Sequence, residues 1–300
     1  MFWITGGLIL LAALPALLNV RAAPLELLAN LRPQIAVLVL AFGVAAITVG
    51  RYGTAGLAAG VLALLLLTTP ELFSRVPRPV DRPDLTLVWG NVFKSDAATE
   101  RLAQLARRRG AELVILGEPP APETTRRLLA DYPFHYGVHD PDRHGAAIFS
   151  RRPLTERGGP DLPPASYPVS VVEVDGLTVA ALHPPVAVSR RRLAESEMML
   201  AGAAAQLDGD AGVIVGDMNA TPWSARLRQL SRRLIRISPA RASTWFSSLP
   251  VLGLPIDHVF VTPGLDASAE IGPGIGSDHL PLIVSIKRPV VFRDSLPPAA

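Results

Sequence analysis

The first 70 residues carry only four charged side chains, Arg21, Glu26, Arg32 and Arg51, and no other feature constrains the chain as strongly. Three uncharged apolar runs lie among them, at residues 3–20, 35–50 and 54–69. Each has about 16 to 18 residues, close to the ~17 needed to cross a hydrocarbon core of ~30 Å. In lipid a helix satisfies its own backbone donors and acceptors, so helices are the expected form. Gly6, Gly7, Gly56, Ala58, Ala59 and Gly60 would let such helices approach closely. The first run lacks a basic leader and two more follow it, so it reads as a retained helix rather than a cleaved signal. The expectation is three transmembrane helices over residues 1–70, a multi-pass anchor in the cell membrane with the bilayer as partner. Three spans would place the loop at 21–32 and everything after residue 70 on one side. Arg21, Arg32, Arg75, Arg78 and Arg82 lie there against Arg51 on the other, a small bias toward the cytoplasm that leaves the side open. No ionisable group lies inside a run, which argues against a channel or transporter.

The whole chain is 49% hydrophobic and 18% charged, with a mean hydropathy of +0.31, unusual for a wholly water-soluble protein. The absence of cysteine excludes a disulfide framework, thiolate metal sites and a cysteine nucleophile. The formal charge of +3 and pI of about 9.7 come from arginine, since Lys94 and Lys287 are the only lysines. Abundant Arg, Ala and Pro fit a coding bias, so basicity alone does not call for nucleic acid. Aromatics make up 6% of the chain and do not interleave with the arginines, so no stacking platform for single strands is evident.

Residues 71–84, with Pro77, Pro79 and Pro83, read as an extended Pro/Arg-rich linker, and 288–300 as a flexible tail. Between them, residues 85–287 supply roughly 200 residues, enough for one large core. Apolar strands are expected at 85–90, 113–116, 146–150, 171–174, 178–182, 212–215, 256–261 and 280–286. Helices are expected at 97–109, 122–130, 189–207 and 223–234. Asp175-Gly176 marks a hairpin, because both residues tolerate positive φ. Strands alternate with helices but hairpins intrude, which gives an α/β domain whose sheets are not purely parallel.

Polar residues stand where these strands end. Asn91, Glu118 and His183 each follow an apolar strand, and Asp217 and Asn219 follow another. Asp257 and His258 interrupt the strand at 256–261, and Asp278 and His279 precede the last one. Ligand sites of α/β sheets gather at strand ends. Any one such residue is ordinarily a cap or turn former, but the recurrence points to a site. Asn91, Glu118 and Asp278 are hard oxygen donors suited to Mg²⁺ or Mn²⁺. His279 beside Asp257 makes a base with an orienting carboxylate, Asp217 suits the alignment of a water, and Asn219 and His183 suit donation to a developing phosphorane.

The ordered segments GDMNATPWS at 216–224, GSDHLPL at 276–282, IDHVF at 256–260, WGNV at 89–92, LGE at 116–118 and GAAIFSRRP at 145–153 resemble the motifs of the endonuclease/exonuclease/phosphatase superfamily. The resemblance spans about residues 85–286 and includes a bacterial subgroup with N-terminal membrane helices. It implies a DNase I-like, four-layered αββα sandwich with one divalent-metal site. Carried over by position, Asn91, Glu118 and Asp278 surround the metal, Asp217 activates the water, Asn219 contacts the scissile phosphate, His279 pairs with Asp257, and His183 matches a histidine of the nuclease and sphingomyelinase branches. Abasic-site endonucleases more often have tyrosine there, which points away from that repair activity. Pro119-Pro120 after Glu118 and a short 150–171 segment depart from the family pattern and leave the substrate open. The implied function is a membrane-anchored, Mg²⁺- or Mn²⁺-dependent phosphoesterase acting on a phospholipid head group, a nucleic acid or a small phosphate ester, with no protein partner implied. The alternatives are a non-catalytic binding module on the same fold or a nonspecific endonuclease.

Other polar groups read more simply. His135, His139 and His144 fit a solvated loop better than a zinc site, since no close pair has helical spacing. Arg190–Arg192 and the arginines at 226, 228, 232 and 233 fit solvated helix faces, with phosphate binding as the alternative. Trp223 fits the core.

Overall fold

A computed structural model describes residues 2–18, 20–74, 78–137, 145–160, 162, 167–249 and 252–287. The tail at 288–300, Arg75, His139 and His144 lie outside the described residues. Helices α1 (Phe2–Leu18), α2 (Glu26–Asn30), α3 (Arg32–Thr48) and α4 (Tyr52–Leu67) come first, followed by a single 3-10 turn at Pro70–Phe73. The remainder runs β1 (Leu85–Asn91), α5 (Asp96–Arg108), β2 (Leu113–Gly117), α6 (Pro122–Leu128), β3 (Phe134–Gly137), β4 (Ala146–Ser150), β5 (Thr155–Glu156), β6 (Val169–Val174), β7 (Leu177–Leu182), α7 (Arg190–Ala205), β8 (Gly212–Asp217), α8 (Ala225–Leu230), β9 (Ile235–Arg236), β10 (Asp257–Val261), β11 (Asp266–Ile271) and β12 (Leu282–Lys287).

Two six-stranded sheets form, ordered β11-β12-β1-β2-β4-β3 and β5-β6-β7-β8-β10-β9. In each, one parallel pair (β1 with β2, β7 with β8) sits among antiparallel neighbours. Alternation along each strand builds the layers. Leu85, Leu87 and Trp89 of β1 face Val179, Val213, Val215 and Val259 across the space between the sheets. Val88 of the same strand faces the other way, with Leu102 and Leu105 of α5. Ala180 and Ile214 pack likewise against Met199 and Ala203 of α7 and Leu227 of α8. Strands buried on both faces read as continuous apolar runs, which is why they stand out in the sequence. Ser95 and Ser189 cap α5 and α7 by accepting hydrogen bonds from the N–H groups of Ala98 and Arg192. Asp175 and Gly176, at φ of +49° and +79°, make the turn between β6 and β7.

The N-terminal helices coincide with the three apolar runs, but the expectation that each spans a membrane is corrected. No described helix is long and apolar enough to cross one. α1 and α3 have 17 residues and α4 has 16. At 1.5 Å per residue that is roughly 25 Å, short of the ~30 Å core. Apolar residues at the ends of the runs go into turns instead: Gly50 adopts φ +72°, and Thr68 and Thr69 close α4 by donating to Leu64 and Leu65 carbonyls. The helices form a bundle whose interior mixes Ala13, Ala16 and Ala58 with Ile35, Val39, Phe42 and Leu65. Its outside is apolar too, with Ile4, Leu8, Leu11, Val37 and Leu67 exposed by 60–78%.

The segment expected to be an extended linker begins as a docked turn. Glu71 pairs with Arg228 at 2.8 Å, and Arg241 donates to the Leu72 carbonyl.

Candidate active site

Two parallel strand pairs aim their carboxyl ends at one edge of the sandwich. Asn91 lies opposite Gly117, so Asn91 and the next residue of the other strand, Glu118, finish side by side. Leu182 lies opposite Gly216, which does the same for His183 and Asp217. Antiparallel β10 sets Asp257 opposite Asp217. His279 arrives from the loop before β12 and bridges to Trp245. A Cβ on Gly216 would stand 1.9 Å from the Leu182 carbonyl oxygen, so no side chain fits between these strand ends. Glu118 and Asn219 both adopt φ +47°. Asparagine tolerates that region, whereas for glutamate it costs about 1–2 kcal/mol, a strain typical of functional positions. The Lys94 N–H, donating to the Glu118 carbonyl at 2.9 Å, helps to hold it.

All eight residues singled out in the sequence converge here. Asp217 is the hub. Its Oδ2 lies 3.2 Å from Asn91 Nδ2, 3.3 Å from His183 Nε2 and 3.6 Å from His279 Nε2, while Oδ1 accepts the Asn219 N–H at 2.9 Å. Asn91 Nδ2 also reaches Glu118 Oε1 at 3.1 Å, and His183 Nδ1 lies 3.8 Å from that oxygen. Asn219 Nδ2 stands 3.1 Å from His183 Nε2 and donates to the Pro184 carbonyl at 3.0 Å. His279 Nδ1 meets Asp257 Oδ2 at 2.8 Å. Asp278 lines the same cavity as Glu118, Asp217 and His279, a space of about 680 Å³.

Burial and charge set the protonation pattern. Burial alone would depress His279, but the carboxylates of Asp257 and Asp217 override it and push its pKa up to about 10. Asp257 is buried yet held below the usual carboxylate range by His279 and by the Trp89 indole N–H, which donates to its Oδ1 at 2.8 Å. Burial raises Asp217, against the opposing pull of His183 and His279. The result is an imidazolium–carboxylate pair beside a carboxylate of increased basicity.

Ligand atoms of Asp217, Asp257 and His279 all lie within 4.8 Å of one another, which makes them a candidate acidic metal cluster among the described residues. Both Asp257 oxygens already accept hydrogen bonds. The cavity-facing carboxylates are Glu118, Asp217 and Asp278. Carboxylate oxygens are the donors a hard divalent cation prefers, whereas the Asn91 amide turns its NH2 to Glu118 and Asp217 and its oxygen accepts the Phe93 N–H at 3.0 Å.

Several contributors are not legible from strand-end patterning. The indoles of Trp89 and Trp245 hold Asp257 and Asp278, the latter at 3.1 Å. The N-terminal segment reaches the site as well. Asn30 Oδ1 accepts from the N–H and the hydroxyl of Thr221, both at 3.0 Å, in the loop that carries Asn219. Arg226 corrects the reading of a solvated face. It is buried, pairs with Glu26 at 3.0 Å with both side chains fully covered, and donates through Nη2 to the Asn219 carbonyl at 3.0 Å. Arg228 and Arg233 are paired with Glu71 and Asp208. Arg192 lines the cavity and donates to the Tyr167 hydroxyl at 2.8 Å. His135, expected in a loop, lies in β3 stacked on Phe149 with 5.7 Å between ring centroids. Trp223 is buried, as a core residue.

Comparison with known proteins agrees with this architecture. An AP endonuclease structure from Archaeoglobus fulgidus superposes with a TM-score of 0.55 at 17% identity, covering 67% of this chain and 99% of that one. A conserved protein of unknown function from Enterococcus faecalis V583 gives 0.51 at 14% identity, with 67% and 99% covered. Humanized TDP2 from D. rerio gives 0.50 at 14% identity, with 68% and 99% covered. At such identities these likenesses show the fold alone. No curated protein sequence matches. The sequence model described as the Endonuclease/Exonuclease/phosphatase family matches residues 88–279, well over half of the chain and the whole span from β1 to the Asp278-His279 loop. The chain therefore belongs to the endonuclease/exonuclease/phosphatase family.

Proposed function

We propose that the chain is a divalent-metal-dependent phosphoesterase that hydrolyses a phosphodiester or phosphomonoester by in-line attack of water. The observation that carries this reading is the meeting of the buried His279–Asp257 pair with Asp217 in the carboxylate-lined cavity. Asn91, Glu118 and Asp278 would hold the cation. Bound there, Mg²⁺ or Mn²⁺ would polarise a phosphoryl oxygen and offset developing negative charge.

The chain's own groups do the rest. Asp217, its basicity raised by burial, orients a water and takes its proton as the new P–O bond forms. The ester P–O bond opposite breaks, and the departing oxygen is protonated from solvent. His279, kept charged by Asp257, donates to the equatorial oxygens, whose charge rises in the transition state, and the Asn219 amide would exchange one of its two acceptors, His183 Nε2 or the Pro184 carbonyl, for them. His183, fixed between Asp217 and Asn219, adds a third donor. The presence of every group this chemistry calls for supports catalysis over a non-catalytic module.

The bundle, apolar inside and out, serves as a membrane anchor in this reading. In water its outer leucines and isoleucines would each forgo roughly 1.5–3 kcal/mol of burial, whereas lipid solvates them at no such cost.

Turnover of bis(4-nitrophenyl) phosphate by the full chain with Mg²⁺ or Mn²⁺, against EDTA, tests the chemistry. Activity lost in Asp217→Asn and His279→Gln with unchanged circular dichroism supports it. Metal-dependent turnover equal to wild type in both variants refutes it. Carbonate-resistant recovery in the membrane fraction supports the anchor, and recovery in the soluble fraction refutes it.

A further inference from the structure

Among the described residues, the end of the bundle that carries Asn30, Gln34 and Thr68 contacts the catalytic sandwich, and Leu27, Asn30 and Leu31 near it line the cavity. Arg32 ties together the carbonyls of Ala16 and Thr68, so the end of α1, the start of α3 and the end of α4 gather at one level. Gln34 reaches the Gly253 carbonyl at 3.4 Å, and Arg228 donates to that of Thr68. The opposite end carries Arg51, stacked over Trp3 at 5.0 Å. Helix α2 lies in the junction and forms one wall of the cavity.

That wall is apolar. Leu27 and Leu31 of the N-terminal segment, Val186 and Val188 of the loop after His183, Phe93 and Leu254 line the cavity that holds Glu118, Asp217, Asp278 and His279. Leu31, Phe93, Val186 and Val188 remain partly exposed, by 38% to 64%. Leu25, next to α2 in the chain, and Leu249 and Leu252, just before Leu254, are exposed as well. A small water-soluble phosphate ester has no hydrocarbon part to lay against these side chains. The cavity thus combines a polar floor of carboxylates and imidazoles with the Arg192 guanidinium and an apolar side to which the N-terminal segment contributes Leu27 and Leu31.

We propose that the substrate is a membrane-borne phosphoester, with its phosphate on the Glu118–Asp217–His279 floor and its hydrocarbon part along the wall made by α2 and the 184–188 loop. The proposal rests on the phosphoesterase reading above and narrows it to amphiphilic esters drawn from the bilayer. It also makes the N-terminal segment part of the active site rather than a tether alone.

The test holds chemistry constant and varies the tail. Full-length protein in one non-ionic detergent is assayed with Mg²⁺ on ethyl 4-nitrophenyl phosphate and on its hexadecyl homologue, with supercoiled plasmid DNA as a third arm. The expected result is a kcat/KM at least about tenfold higher for the hexadecyl ester. Leu31→Asn and Val188→Asn then lower kcat/KM on the hexadecyl ester about tenfold more than on the ethyl ester, which separates pocket contact from partitioning into micelles. Equal kcat/KM on the two esters, equal losses in the variants, or DNA cleaved faster than both overturns the lipid assignment and leaves the phosphoesterase reading standing. No metal-dependent turnover in any arm overturns both.

Discussion

The ion pair between Glu26 and Arg226 joins the N-terminal segment to the catalytic loop, and its removal gives a graded prediction. Both side chains are fully covered. Arg226 Nε and Nη2 donate to the two Glu26 oxygens at 3.0 and 3.3 Å, and Nη2 also donates to the Asn219 carbonyl at 3.0 Å. Glu26→Ala strands a guanidinium in a covered site, which costs about 3–5 kcal/mol. At roughly 2–4 °C per kcal/mol for a domain of this size, the melting temperature falls by about 6–20 °C. Replacing both partners with Glu26→Met and Arg226→Met removes the stranded charge and costs less than either single change. Activity follows a second route. Losing the Arg226 contact frees the Asn219 carbonyl, and a displacement of about 1 Å in a catalytic group lowers turnover by about 10²-fold. Differential scanning fluorimetry of wild type, Glu26→Ala and the double variant in detergent, with kcat measured below every transition, reads both effects. A Glu26→Ala protein that melts and turns over like wild type would show that the segment is not coupled to the site.

Other outcomes follow from single residues. His258 is buried, donates to the Ala220 carbonyl at 2.8 Å, and is pushed down to about 3 by burial and by Arg236. It is neutral when folded and charged when unfolded below pH 6.5, so its contribution is complete above that pH and declines as pH falls toward 3. The loss reaches about 2 kcal/mol at pH 5, and His258→Gln flattens that part of the stability–pH curve. Gly216→Ala places a carbon 1.9 Å from the Leu182 oxygen. It lowers stability by about 3 kcal/mol or more and disturbs the spacing of His183 and Asp217, seen as loss of both melting temperature and turnover.

The parts of this molecule that were legible in the sequence are those with local causes. β1, β2, β7 and β8 are buried on both faces and announce themselves as apolar runs ending in a polar residue. Their parallel pairing is what turns Asn91, Glu118, His183 and Asp217 from scattered positions into one edge. Strand β11, Asp-Ala-Ser-Ala-Glu-Ile, was illegible because its small side chains give no strong alternation. β3, Phe-His-Tyr-Gly, was hidden because it is only four residues long and half-exposed, with no apolar run to mark it. The membrane expectation miscounted because a glycine and two threonines extend an apolar run without extending its helix. Arg226 was misread because its partner Glu26 lies two hundred positions away, where no periodicity links them. The same distance hid Leu27, Asn30 and Leu31 as cavity residues.

Calorimetric titration of Mn²⁺ into the metal-free full chain shows whether Glu118 and Asp278 hold a cation. The account predicts one cation bound per chain, with affinity falling at least about tenfold in Glu118→Gln and in Asp278→Asn. No saturable binding in wild type, or binding unchanged in both variants, would contradict it.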